Sequence, residues 1–193
     1  ALQILMQNKD LVNFFINTQF EDKNLITFKK FVTEYHNNDS NNLNLIQVKN
    51  IVGKKQQIFC GFQQNDSTEY ILLLLDILDE AIKKEYKNDI IDQIFSLSIN
   101  QIVKCKLKKC NNISITKHTH KFLKFDIPED DNNLTLDKCY NYYKRSEKLQ
   151  DDNRWYCDKC KKKRIASKKT VINKWSKNLL IHLKRFKQRG SRY

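Results

Sequence analysis

The sequence predicts an α+β protein in which a helical first half is followed by a half built mainly from strands. Apolar residues recur at helical spacing in the first 95 residues, and an apolar run from about Asp66 to Tyr86 predicts a long buried helix. From Phe95 the apolar period changes to two, which indicates half-buried strands. Four cysteines in two closely spaced pairs lie in this second half.

Helical patterns cover most of the first half. One helix is predicted from Ala1 to Ile16, and because no capping residue precedes Ala1, we expect it to begin upstream of the sequence given. Further helices are predicted over residues 25–35 and 46–52, with a loop at 36–44. Asp66 or Ser67 is expected to cap the long helix, and Glu69 can close a capping box.

The second half is predicted to alternate strands with the cysteine pairs. A strand from Phe95 to Cys105 and another from Ile113 to Ile127 flank the first pair, and an acidic loop at 129–131 leads to a short helix at 136–143. After the second pair, two more strands are predicted over residues 166–173 and 179–186.

The cysteine spacing predicts a structural zinc site. Cys105 and Cys110 enclose four residues, Cys157 and Cys160 enclose two, and 46 residues separate the pairs. Zn²⁺ needs four ligands in a tetrahedron, and both spacings fall in the range that zinc knuckles use. We therefore expect one ion to join two separate hairpins.

Composition is that of a globular protein, with 40% hydrophobic and 30% charged residues. No apolar run approaches the roughly 18 residues of a membrane span, and the start lacks the features of a signal peptide. We therefore expect an intracellular protein of the cytoplasm or nucleus, without a membrane partner, whose cysteines are thiols or metal ligands.

The net charge of +14 is unevenly distributed. Residues 1–95 hold 10 basic and 13 acidic residues, a net charge of −3, whereas residues 96–178 hold 21 basic and 9 acidic residues, a net charge of +12. Residues 179–193 add +5. The basic half can attract an acidic partner or keep the surface soluble.

Three stretches, in this order, carry a family resemblance: ALQ at 1–3, QNDSTEY at 64–70, and YCDKC at 156–160 together with LIHLKRF at 180–186. They resemble segments of the catalytic domain of the ubiquitin-specific proteases, cysteine peptidases that remove ubiquitin from proteins. The resemblance implies a fragment of a papain-like cysteine peptidase domain. Its parts would be a helical thumb (1–95), zinc-stapled β fingers (96–178) and the start of a palm (179–193).

The resemblance also implies where catalysis takes place. The family's nucleophilic cysteine and oxyanion-hole asparagine match positions before Ala1, and its catalytic histidine matches a position after Tyr193. No catalytic residue is therefore expected among these 193 residues, and the chain alone is expected to be inactive. The first cysteine pair departs from the family, which usually has two intervening residues there.

Gln64, Asp66 and Glu69 are the candidate ubiquitin-binding residues. In the family this loop and helix line the channel that holds the extended, arginine-bearing tail of ubiquitin, and carboxylates pair naturally with arginine. Asp66 and Glu69 can equally serve only as helix-capping groups, and one residue can do both.

Other candidate residues have simpler interpretations. His182 lies in an apolar strand and is expected to be structural. His118 and His120 share a strand face, where they face solvent or bind a metal. Cys60 and Cys139 are expected to be small buried thiols.

Three functions remain open from the sequence. The first is the ubiquitin-recognising part of a deubiquitinating thiol peptidase, which binds ubiquitin and ubiquitinated proteins. The second is a non-catalytic ubiquitin-binding pseudo-enzyme. The third is a basic zinc module for nucleic acid, suggested by the charge and by Trp155, Tyr156 and Trp175 among the lysines. Nucleic acid is not the expected partner, because no recognition-helix motif is present.

Overall fold

The computed structural model describes residues 2–37, 45–128 and 133–185, and the chain divides into two compact units, Ala1–Phe95 and Ser96–Tyr193. The first unit is helical and the second consists mainly of strands, which confirms the α+β class. The predicted acidic loop at 129–131 and most of the loop at 36–44 lie outside the described residues. The predicted division into thumb, fingers and palm stays a prediction.

The first unit contains six α-helices in its described part. They are α1 (Leu2–Met6), α2 (Lys9–Asn17), α3 (Lys23–His36), α4 (Leu45–Gly53), α5 (Ser67–Tyr86) and α6 (Ile90–Phe95). A 3-10 turn at Gln57–Phe59 precedes α5. The long helix α5 contacts α3, α4 and α6, and Leu74, Leu75 and Leu78 on it are fully buried. The apolar run of the sequence therefore forms the centre of this unit, as predicted.

The single helix predicted from Ala1 to Ile16 is wrong, because the structure breaks it into α1 and α2 at Asn8. The Oδ1 atom of Asn8 accepts a hydrogen bond from the Leu11 backbone N–H at 2.9 Å and so caps α2. The apolar pattern continues across the break and does not reveal it. A local side-chain acceptor has thus overridden the helical periodicity.

The second unit contains eight described strands and one α-helix. The strands are β1 (Leu97–Cys105), β2 (Ile113–His120), β3 (Leu123–Asp126), β4 (Glu147–Leu149), β5 (Trp155–Cys157), β6 (Lys162–Arg164), β7 (Ala166–Lys174) and β8 (Ile181–Lys184). The helix α7 (Leu136–Lys144) begins after its cap Thr135, and a 3-10 turn lies at Asp151–Asn153.

These strands form three sheets. An antiparallel sheet has the order β2-β1-β7-β4, β3 pairs in parallel with β8, and β5 and β6 form a hairpin. The strand predicted from Ile113 to Ile127 is therefore wrong as a single element: β2 ends at His120, and β3 joins a different sheet. Phe95 likewise belongs to α6 and not to the first strand.

Two clusters of buried residues hold this unit together. The larger joins β1, β3 and α7 through Leu97, Ile99, Leu123, Phe125 and Cys139. The smaller consists of three of the four paired cysteines, with Trp155 and Cys160 packed against it. The end of the sheet that lies away from the larger cluster is thus organised around sulfur atoms.

Candidate metal centre and helix-cap site

The structure brings the four predicted cysteines together. Cys105 ends β1, Cys110 lies in the turn before β2, Cys157 ends β5 and Cys160 lies in the turn before β6. Their Sγ atoms all lie within 4.8 Å of one another. Three of the four side chains are buried, and Cys160 is half-buried. Across the described residues, this is the one group of at least three histidine, cysteine or acidic side chains placed to hold a metal ion.

The sulfur separation fits a metal better than a disulfide. The Sγ atoms of Cys110 and Cys157 are 3.6 Å apart, and both cysteines are free. A disulfide requires about 2.05 Å, whereas a tetrahedral ion with Zn–S bonds of about 2.3 Å separates its sulfurs by roughly 3.8 Å. Four thiols at this spacing can hold a metal ion.

The thiols differ in their affinity for protons. Burial raises the pKa of Cys157, but hydrogen bonds from the Cys160 backbone and from Asn112 outweigh it and lower the pKa to about 6. The Nδ2 atom of Asn112 donates to the Cys157 sulfur at 3.4 Å. The hydrogen bond with Cys110, together with burial, raises the pKa of Cys160 to about 12. Once one thiol has ionised, its negative charge therefore disfavours ionisation of the neighbouring thiols, unless a cation neutralises the charges.

Both cysteine pairs end in the same backbone conformation although their loops differ in length. Asn111 follows Cys110 with φ 50°, and Lys161 follows Cys160 with φ 52°. In each pair, the left-handed residue lets the chain reverse immediately after the second sulfur. The four-residue loop of the first pair therefore does not prevent it from facing the second pair.

Asp66 caps α5, as the sequence predicts. Its Oδ1 atom accepts hydrogen bonds from the backbone N–H groups of Thr68 at 2.7 Å and Glu69 at 3.3 Å. The Glu69 carboxylate accepts a bond from Gln56 Nε2 at 3.1 Å, so a side chain ahead of the helix holds it. Gln64 is exposed in the loop before the cap.

A groove of about 630 Å³ opens beside this cap in the first unit. Asp66 lines it, whereas Gln64 and Glu69 are not among its lining residues. Sequence reasoning missed Tyr70 and Phe62, which also line it. Burial raises the pKa of Tyr70 to about 12, and its hydroxyl donates to the Val48 carbonyl at 3.2 Å. The lining also includes Lys49, so one carboxylate and one ammonium border the apolar surface, and an extended chain can place a cationic side chain beside Asp66.

Phe62 is 97% exposed, and the Lys49 ammonium lies 4.4 Å from the centre of its ring. An aromatic side chain in water that contributes nothing to a core is a candidate contact for a ligand. The sequence could have indicated this residue, because Phe62 is a large apolar side chain that falls outside every helical pattern of this half.

The remaining candidate residues are placed as follows. His118 and His120 lie on β2 with ring centres 6.0 Å apart. Cys60 is exposed, which contradicts the expectation of a buried thiol, and its sulfur donates to the Gly53 carbonyl at 3.2 Å. Cys139 is buried, as expected. His182 lies half-buried on β8.

The family model described as ubiquitin carboxyl-terminal hydrolase matches residues 1–192, so the chain belongs to this family. Among curated proteins, no sequence is similar enough to count as a match.

The solved structures that share the fold include two of the same module. The SAGA DUB module Ubp8/Sgf11/Sus1/Sgf73 bound to monoubiquitin matches with a TM-score of 0.77 and 21% identity, over 97% of this chain and 45% of that chain. The same module bound to ubiquitin aldehyde matches with a TM-score of 0.76 and 20% identity, over 96% and 44%. The chain therefore spans less than half the length of these two solved chains.

None of the described helices is long and apolar enough to cross a bilayer.

Proposed function

We propose that this chain is the ubiquitin-recognising part of a deubiquitinating cysteine peptidase, which hydrolyses the bond after the C-terminal glycine of ubiquitin. The observation that carries the proposal is the family match over residues 1–192. Both similar structures are complexes with ubiquitin or its aldehyde, which supports the same partner here. The residues that perform the hydrolysis lie, on this proposal, outside the 193 residues.

The groove beside α5 receives the tail of ubiquitin. Its apolar lining, with Tyr70 and Phe62, contacts the extended backbone, and Asp66 pairs with a cationic side chain of the tail. Because Asp66 is already fixed by two backbone N–H groups, little side-chain freedom is lost on binding. Glu69 and Gln64 contact ubiquitin from outside the groove. The hydrogen bond from Gln56 orients the Glu69 carboxylate.

The four-cysteine cluster holds a structural Zn²⁺. Cys105, Cys110, Cys157 and Cys160 supply four soft sulfur ligands, so the site is closed and leaves no position for a substrate. When bound, the ion neutralises the thiolates and ties the β1–β2 turn to the β5–β6 turn. The fingers then offer a rigid surface to the globular part of ubiquitin.

A binding and turnover experiment tests the proposal. Calorimetric titration of ubiquitin onto the 193-residue chain should show binding, and ubiquitin that lacks its C-terminal tail should bind at least about tenfold more weakly. A fluorogenic ubiquitin C-terminal substrate should not be turned over. Failure of intact ubiquitin to bind would refute the proposal. Turnover that Cys60→Ser abolishes would place a nucleophile within the chain and contradict it as well.

A further inference from the structure

The pairing register of the four-stranded sheet gives its two sides different chemistry. Directly paired residues point to the same side of a sheet. Ile102 pairs with Ile115 on β2 and with Lys169 on β7, so these three side chains share one side. We call this side, which also carries Lys104, the lysine face. The opposite side carries Leu97 and Ile99, which are buried in the larger core cluster.

The centre of the lysine face is apolar and open. Ile115 is 62% exposed and Ile113 is 50% exposed, while Ile102 and Val171 are half-buried. Ile102 lies directly across from Ile115, Ile113 is two residues along the same strand, and Val171 lies in the next row of the sheet. Neighbours of this kind are within reach of one another, so the four side chains form one patch.

Lysines surround this patch. Five exposed lysines point to the same side, from all four strands: Lys104, Lys117, Lys148, Lys169 and Lys174, the last by its pairing with Ser98 beyond a register shift between Ser98 and Ile99. No strand position on this side holds an acidic residue in the described part of the chain. On the opposite side, Lys168 faces Glu147 across the strands. Lysines that look scattered along the sequence are therefore collected onto one surface by the register.

The residue types that are absent from the lysine face indicate the kind of partner as clearly as those that are present. Sheets that bind single-stranded nucleic acid present aromatic rings for base stacking, and arginine is favoured for bidentate phosphate contacts. Among the described strand positions, the lysine face has neither aromatic residues nor arginine. Aliphatic side chains bordered by ammonium groups instead match aliphatic side chains bordered by carboxylates.

We propose that the lysine face binds an acidic amphipathic helix of a partner protein. Eight residues of β2 span about 26 Å, the length of a helix of about 17 residues. Three spacings of about 4.8 Å separate the outer strands, which accommodates one helix about 10 Å in diameter. Apolar side chains of the helix cover the isoleucines, and its glutamates or aspartates meet the lysines on either flank.

Fluorescence anisotropy with a labelled peptide of about 17 residues tests this proposal. The peptide carries leucines at helical spacing between flanks of glutamate, and its control has the same composition in scrambled order. The designed peptide should bind the chain at least about tenfold more tightly than the scrambled one. Binding should weaken as salt is raised, because the contacts between charges are screened.

Two substitutions and two matched controls localise the binding. Ile115→Thr and Lys169→Gln should each weaken it by about fivefold or more. Lys168→Gln makes the same charge change one residue away on the opposite side, and Ile165→Thr makes the same apolar change outside the strands. Both controls should stay within about twofold of the parent. Thermal unfolding of each variant confirms that the fold is retained.

Three results would overturn the proposal. Equal binding of the designed and scrambled peptides would mean that only net charge is sensed. Tighter binding of an oligo-dT strand, weakened by the same two substitutions, would assign the face to nucleic acid. Displacement of the peptide by ubiquitin would assign it to the ubiquitin contact.

Discussion

At the residue scale, Asp66 carries two roles that can be separated by experiment. Its carboxylate accepts two backbone hydrogen bonds at the start of α5 and also lines the groove. Asparagine is about as good a cap as aspartate but has no charge. Asp66→Asn should therefore leave the free energy of unfolding nearly unchanged and lower ubiquitin affinity by about tenfold or more, as measured by urea unfolding and calorimetry.

Asp22 provides the matched control for this substitution. It caps α3 with the same geometry, since its Oδ1 atom accepts from Asn24 at 2.8 Å and from Leu25 at 3.2 Å. It does not line the groove. Asp22→Asn should leave both stability and ubiquitin affinity at the parent values. Unchanged affinity in Asp66→Asn would mean that the carboxylate serves only the helix.

The sequence predicts some of these residues better than others, for physical reasons. The cysteine set follows from spacing because a tetrahedral ion demands four ligands. Asp66 as a cap follows from the apolar run behind it. The placement of Glu69 outside the groove does not follow, because it depends on Gln56, a residue 13 positions away. Asn112 as a donor to Cys157 has no local signal, since the two are 45 positions apart in the sequence.

At the element scale, the break between α1 and α2 depends on Asn8. Asn8→Ala removes the acceptor of the Leu11 N–H and should lower the free energy of unfolding by about 0.5–2 kcal/mol, as measured by urea unfolding. Asn13→Ala, at an exposed position within α2, should instead be neutral or slightly stabilising because alanine is the better helix former. An unchanged stability in Asn8→Ala would favour the continuous helix that periodicity predicts.

The contact between α5 and α6 includes a shared lysine. Lys83 Nζ donates to Asp79 on α5 at 2.8 Å and to Asp92 on α6 at 2.5 Å. The hydrogen bonds to Asp79 and then Asp92 raise the pKa of Lys83 above its usual value of 10.5. A raised lysine pKa contributes stability that is complete below the unfolded-state pKa and is lost as pH rises through the folded-state pKa.

Lys83→Met should therefore destabilise the chain by an amount that depends on pH in a defined direction. The side chain of Lys83 is 43% exposed, and solvent screening limits the loss to about 1 kcal/mol. Urea unfolding should show the same loss of unfolding free energy, relative to the parent, at about pH 6 and about pH 9. The loss should be smaller above about pH 10.5. Lys84→Met on the same helix is the control. A difference that grows with alkaline pH would contradict the ion pairs.

At the scale of the whole molecule, the proposed zinc should stabilise the second unit, which holds the four cysteines, and not the first. Metal analysis should find about one zinc per chain, lost in the Cys157→Ser/Cys160→Ser double variant and kept in Cys60→Ser. Because metal binding contributes directly to folding free energy, chelation should raise amide hydrogen exchange in β1, β5 and β7. Helices α3 and α5 should keep their protection. Equal loss of protection in both units would contradict this.

The topology is only partly readable from the sequence. The change from helical to alternating periodicity at residue 95 coincides with the boundary between the two units. The separation of β2 from β3 is not readable, because both segments alternate and only the distant partner β8 draws β3 into a parallel pair. The lysine face cannot be predicted from the sequence for the same reason. Which side of the sheet each side chain of β1, β2 and β7 points to depends on the pairing register.

The central position of β1 also has a consequence for the time course of folding. Its partner β2 follows after a short turn, but its other partner is distant in sequence, with Cys105 paired to Ala166 and Ile99 to Ile172. At about 5–20 residues per second of synthesis, the 61 residues from Lys106 to Ala166 take roughly 3–12 s to emerge. During that interval the β1–β2 hairpin has an open edge beside apolar isoleucines. Lysines at 104 and 117 then act against pairing with a neighbouring nascent chain.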